Sequence, residues 1–166
     1  FAVPAQRTVY MLTVAVLGIL MVVGLPSFRQ MLQNYQVRVA AESIANGLQR
    51  ARAEAVSKNA QVQFVLGTAT SWTVDYVTKP VSTDPPLDTR SSSEGSVNVV
   101  RTAVAADLAT AATTITYNNL GQMVANPDGS ATLRQVSVTT TATGGNQTLR
   151  VTIGAGGNAR VCDPSP

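Results

Sequence analysis

The chain has 166 residues, a length that suits one domain, with 13% charged and 5% aromatic residues and a formal net charge of +3. It holds no histidine and one cysteine, Cys162, which excludes His-based acid–base chemistry, a Cys/His nucleophile pair, a His/Cys zinc site and any intrachain disulfide. The small positive charge permits contact with acidic surfaces or nucleic acid without arguing for either, and the abundance of Ala, Val and Thr calls for a core of small and β-branched side chains, which favours strands in the C-terminal part.

The first eight residues, Phe1 to Thr8, are mixed, and Pro4 fits only before a helix or in its first turn. Phe1 in place of methionine reads as a processed or truncated start, and no basic leader with a small-residue cleavage site precedes the first apolar run. That run, Val9 to Leu25, extends 17 residues without a charge. As a helix it rises about 26 Å, a little short of the ~30 Å hydrocarbon core of a bilayer. A buried helix of a soluble domain normally shows a polar stripe, and here only Thr13 and the Tyr10 hydroxyl are polar. The stretch therefore predicts a membrane span or the inside of a helical bundle, with Arg7 placed to reach headgroups at its cytoplasmic end. Ala15, Gly18 and Gly24 allow neighbouring helices to approach closely.

Gly24, Leu25 and Pro26 weaken the helix, because Pro26 lacks an N–H and frees a carbonyl one turn back. Ser27-Phe28-Arg29-Gln30 matches a capping box, so the helix restarts at once. From Ser27 to about Asn59 the pattern becomes amphipathic. Phe28, Met31, Leu32, Tyr35 and Val39 form a first stripe, continued by Val37, Ala41, Ile44, Leu48, Ala51 and Ala55 as the face drifts round. Arg38 with Glu42 and Arg50 with Glu54 are i,i+4 pairs on the polar side.

After Asn59 the period falls to two. Gln61 to Leu66 and Ser71 to Val77 predict a hairpin packed on the helix, with Val62, Phe64 or Val65, Trp72, Val74 and Tyr76 as inward candidates. Thr78 to Gly95, rich in Pro, Ser and Asp, predicts a surface loop. Its Asp84, Asp88 and Glu94 lack the alternation and fixed glycine of a calcium loop. Ser96 to Val100 predicts a short strand, while Ala103 to Ala112 fits a helical turn or a loop equally. Thr113 to Tyr117 predicts a strand, Asn118 to Gly121 a turn, and Gln122 to Ala125 a return strand. A second turn at Asn126 to Gly129, strands at Thr132 to Thr140, Thr148 to Ile153 and Ala159 to Cys162, and a turn at Gly144 to Asn146 complete a meander covered on one face. The Asn146-Gln147-Thr148 sequon and the Ser91 to Ser93 and Thr139 to Thr143 clusters read as ordinary turn chemistry rather than sugar sites.

The stretches Val14 to Phe28 (VAVLGILMVVGLPSF), Ala40 to Asn59 (AAESIANGLQRARAEAVSKN), Thr114 to Gly121 (TITYNNLG) and Gly157 to Pro164 (GNARVCDP) resemble the type IV pilin superfamily, most closely the H-type pseudopilins of type II secretion and the related minor pilins. The resemblance implies an α+β fold: a long N-terminal helix, half apolar and half amphipathic with a weak joint near Gly24 to Pro26, packed on an antiparallel β domain of two sheets. Residues 1–26 would be the membrane anchor and filament core, and residues 27–166 the globular domain. It implies a subunit held in the bacterial inner membrane before assembly and in a periplasmic or extracellular filament afterwards, among copies of itself or other pilins.

No cofactor, metal, small-molecule substrate or enzymatic activity is implied. The expected assembly residues are Val9, Leu12, Val16, Gly18, Leu20, Gly24 and Pro26. Family members usually carry a glutamate near the start of the apolar run; the aligned residues here, Ala5 by count or Val9 by the shared Val-Leu-Gly segment, are not acidic. Some relatives take up DNA through a C-terminal Gly-Arg-x-Arg motif. The aligned residues are Gly157, Asn158, Ala159 and Arg160, so one arginine of the two remains, and phosphate contacts weaken with each cation lost. Arg134, Arg150 and Arg160 would form a DNA patch only if their strands are adjacent.

Overall fold

The computed structural model describes the backbone of residues 3–141 and 147–164, and the side chains of residues 6–21, 28–141 and 147–164. One helix, α1 (Val3–Ser57), is followed by nine strands: β1 (Val62–Leu66), β2 (Trp72–Tyr76), β3 (Asp88–Arg90), β4 (Val99–Val104), β5 (Thr114–Tyr117), β6 (Met123–Val124), β7 (Gln135–Thr140), β8 (Thr148–Ile153) and β9 (Ala159–Cys162). The strands form two antiparallel sheets, in the orders β3-β2-β1-β5-β6 and β4-β7-β8-β9. The fold is the α+β arrangement expected: a long helix packed on two sheets.

Helix α1 stays helical through residues 22–27; the side chains of Gly24, Leu25 and Pro26, where a weak joint is expected, lie outside the described residues. Its C-terminus is closed by a Schellman motif. Asn59 takes φ 50°, Ala60 N–H donates to Ala55 O at 3.2 Å and Asn59 N–H to Val56 O at 3.3 Å, so the last carbonyls find donors. Of the two apolar stripes only the second is buried: Val37, Ala41, Ile44, Leu48, Ala51 and Ala55 face the sheets, joined by Ala40, whereas Phe28, Met31, Leu32 and Tyr35 of the first are exposed and Val39 is half-buried. The drift of the apolar face carries the first stripe away from the sheets before the head begins.

Phe64 and Trp72 stack at 5.8 Å between centroids on this helix, and Trp72 Nε1 donates to Ser43 Oγ at 2.9 Å. Gly47 makes room for them, since a Cβ there would lie 2.8 Å from the Phe64 ring. In the second sheet, Val136, Val138, Leu149, Val151 and Ile153 supply the buried face.

Three elements differ from the sequence expectation. The loop from Thr78 to Gly95 contains β3, which pairs Trp72↔Arg90 and Val74↔Asp88 and satisfies the open edge of β2. The strand expected at Ser96 to Val100 starts at Val99 and extends to Val104, resolving the open reading of Ala103 to Ala112 as a strand end followed by a turn. Strand β7 starts at Gln135 rather than Thr132. Leu133 N–H instead donates to Thr114 O at 2.8 Å, a bond that joins the two sheets. The expected turn at Gly144 to Asn146 lies outside the described residues, and with it Asn146 of the sequon.

Candidate assembly surfaces

Ten large apolar side chains between Val9 and Met21 are exposed, among them Val9, Leu12, Val16 and Leu20 at 49–65% of their surface. They lie all round α1, so no face of this half is served by the chain's own head. Each such side chain, taken from full exposure to full burial, contributes about 1.5–3 kcal/mol, so the ten, each 49–73% exposed, offer roughly 10–20 kcal/mol to whatever covers them. Gly18 sits in this half with nothing within 4 Å of its would-be Cβ. Its cost to the helix, about 1 kcal/mol relative to Ala, has no return within the chain. Of the other expected assembly residues, Gly24 and Pro26 lie among residues whose side chains are not described, as does Ala5; Val9, the alternative position for the family glutamate, is exposed. Among the described residues no helix is long and apolar enough to cross a membrane; the described apolar part, residues 6–21, rises about 24 Å.

Of the three arginines of the expected DNA patch, Arg150 and Arg160 lie in the adjacent strands β8 and β9 and Arg134 lies just before β7, and the three divide between two faces. Arg150 is opposite Cys162, and Arg160 opposite Thr152, so both stand on the side of the sheet away from buried Leu149, Val151 and Ile153. Arg134 precedes β7 in step with buried Val136 and Val138, and its Nη1 lies 4.0 Å from Met123 Sδ in the other sheet. The structure brings Arg150 and Arg160 together and separates Arg134 from them.

A surface that sequence reasoning did not single out lies at the C-terminal end of α1. Gln49, Arg52, Ala53, Val56 and Ser57 form the floor of an open groove of about 610 Å³, walled by Leu120 on one side and by Gly157 to Ala159 on the other. The Leu120 wall is fixed to the helix. Arg52 Nε donates to Gly121 O at 2.9 Å, Asn119 Nδ2 to Asn59 Oδ1 at 2.9 Å, and the Asn118 carboxamide accepts from Leu120 and Gln122 N–H. The opposite wall is fixed by Tyr117, whose hydroxyl donates to Gly157 O at 3.1 Å. Gly157 has φ +79° and no space for a Cβ beside the Tyr117 ring. The turn at Asn118 to Gly121 was legible in sequence; its attachment to residues 60 and 69 positions earlier was not. Among the described residues no cluster of His, Cys, Asp and Glu is arranged to hold a metal ion.

Comparison with known proteins agrees with this arrangement. A family model, described as type II transport protein GspH, matches residues 40–160. A crystal structure of the type IV minor pilin FimU of Pseudomonas aeruginosa, 18% identical, superposes with a TM-score of 0.56 over 80% of this chain and 92% of that one. The minor pseudopilin EpsH of the Vibrio cholerae type 2 secretion system, 13% identical, gives 0.55 over 79% and 99%. No curated protein sequence matches significantly.

Proposed function

We propose that this chain, which belongs to the type II transport protein GspH family, is a filament subunit of the bacterial envelope that waits in the inner membrane by its apolar helix and then packs that helix inward among the helices of neighbouring subunits. The observation that carries this reading is the contrast within α1. From Val37 to Ala55 one face of the helix is covered by the two sheets, while every described large apolar residue from Val9 to Tyr35 lies outside that cover, and the ten between Val9 and Met21 are exposed all round. Lipid or other helices can cover such a surface, and contacts between unlike faces of identical or similar subunits propagate into open helical assemblies. The relatives act as minor pilin and minor pseudopilin by their descriptions, and a surface pilus or a short secretion pseudopilus accommodates the same geometry.

The test is a charge in the middle of the exposed stretch. Val16→Asp places a carboxylate where the helix must be buried, at about 2.5–3.5 kcal/mol for a membrane-centred position. Filaments of this variant should be absent on electron micrographs of cells that produce it at normal levels; ordinary filaments would end the proposal. Binding of extracellular DNA through Arg134, Arg150 and Arg160 is the weaker reading, because the strand register divides the three between two faces. It requires a mobility shift of DNA by the full chain that declines steeply with salt.

A further inference from the structure

The groove at the end of α1 has an apolar floor and wall in Ala53, Val56 and Leu120, with Val56 52% and Leu120 70% exposed. One cation, Arg52, lines it, and Lys58 follows Ser57, the last helical residue of its floor. Neither takes part in an ion pair among the described residues. The groove thus fits an apolar side chain with a carboxylate beside it.

The chain itself presents that pair elsewhere. The 105–110 loop leaves β4 and carries Leu108, 62% exposed at φ 59°, a backbone state that a leucine seldom adopts. Its neighbour Asp107 accepts from Ala109 N–H, Thr110 N–H and the Thr110 hydroxyl. These bonds hold the carboxyl below the usual range, and no cation pairs with it among the described residues. Strand β4 is one edge of its sheet and β9, whose Ala159 lines the groove, is the other. Three strand spacings of about 4.8 Å separate them, so a chain does not fill its own groove.

We propose that the groove receives the 105–110 loop of a second copy of the chain, with Leu108 seated among Ala53, Val56 and Leu120 and the Asp107 carboxylate against Arg52 and Lys58. The contact joins two different faces, so it repeats without closing, as the filament reading on which it rests requires.

Two full-length variants, Leu108→Cys and Leu120→Cys, each with Cys162→Ser and a different affinity tag, are produced in the same cells, and the envelopes are mildly oxidised. A disulfide dimer bearing both tags is expected, with no such dimer when Val81→Cys, also at an exposed apolar residue, replaces Leu120→Cys. Adding Asp107→Lys should abolish the dimer, and adding Lys58→Glu to the partner should restore it. Absence of the mixed dimer, equal yield with Val81→Cys, or a disulfide from Leu120→Cys to a different protein each overturns the contact. Micrographs of the same cells separate the two proposals: filaments without the dimer remove the contact alone, and neither filaments nor dimer removes both.

Discussion

Inside the head, the Tyr117 hydroxyl reaches across 40 residues of sequence to the Gly157 carbonyl, and its burial has two consequences. Tyr117→Phe leaves that carbonyl without its donor and should lower stability by about 1 kcal/mol in urea unfolding at neutral pH. Burial pushes the phenol well above its ordinary range, with Arg52 opposing. The unfolded chain therefore releases this proton near pH 10 while the folded chain retains it, and the stability contributed is complete below that pH and lost as pH rises. Wild-type stability should fall above about pH 10 with a Tyr117 share of up to ~1.4 kcal/mol per pH unit, a share that Tyr117→Phe removes. Gly47 sets two effects against each other. Alanine there gains about 1 kcal/mol of helix propensity, but its Cβ meets the Phe64 and Trp72 rings at 2.8–3.0 Å, and overpacking costs about 1–3 kcal/mol. Both rings are buried and held by neighbours, so Gly47→Ala should lower the melting temperature.

Between elements, Arg101 acts as a clamp. It stands on β4 of one sheet, and its guanidinium donates to the carbonyls of Leu66 at the end of β1 and of Gly67 and Ala69 in the β1–β2 turn of the other, with Nε to Ala69 O at 2.9 Å. Burial lowers the pKa of this guanidinium. Arg101→Met leaves those carbonyls to find other donors and should cost about 1–3 kcal/mol. Hydrogen exchange should quicken first at Gly67 and Ser71 N–H, whose bonds close that turn, ahead of the β7–β8 ladder. Nothing in the sequence marks this arginine, because its partners are backbone atoms more than 30 residues away. The same reason hides the groove: Arg52 and Gly121 each look ordinary until α1 and the turn are docked. By contrast, the change from a 3.6-residue to a two-residue period at Asn59 was legible, and β1, β2, β5, β8 and β9 fall close to where alternation put them. Strand β3 was not, since Asp88-Thr89-Arg90 is short and polar and exists only because β2 offers it an edge. The placement of Arg134 depends on register, which alternation alone leaves open by one residue and hence by one face.

At the scale of the whole molecule the buried core begins at Val37, and none of the described residues before it contributes to that core. Residues 27–166 produced without residues 1–26 should therefore unfold cooperatively, remain monomeric at micromolar concentration, and match the head of the full chain within about 1 kcal/mol in denaturant titrations. Loss of cooperativity would show that the apolar half supports the head after all. Strand β9, the last in sequence, packs beside α1, the first: Ala159 reaches the helix near Gln49 and Ala53, and Val161 to Asp163 lie near Arg38 and Glu42. A ribosome adding about 5–20 residues per second needs about 5–20 s to pass from the end of α1 to β9. Throughout that interval the nascent chain carries a helix whose packing face, Val37 to Ala55, has no sheet to meet, so that face stays open to other chains until the head closes.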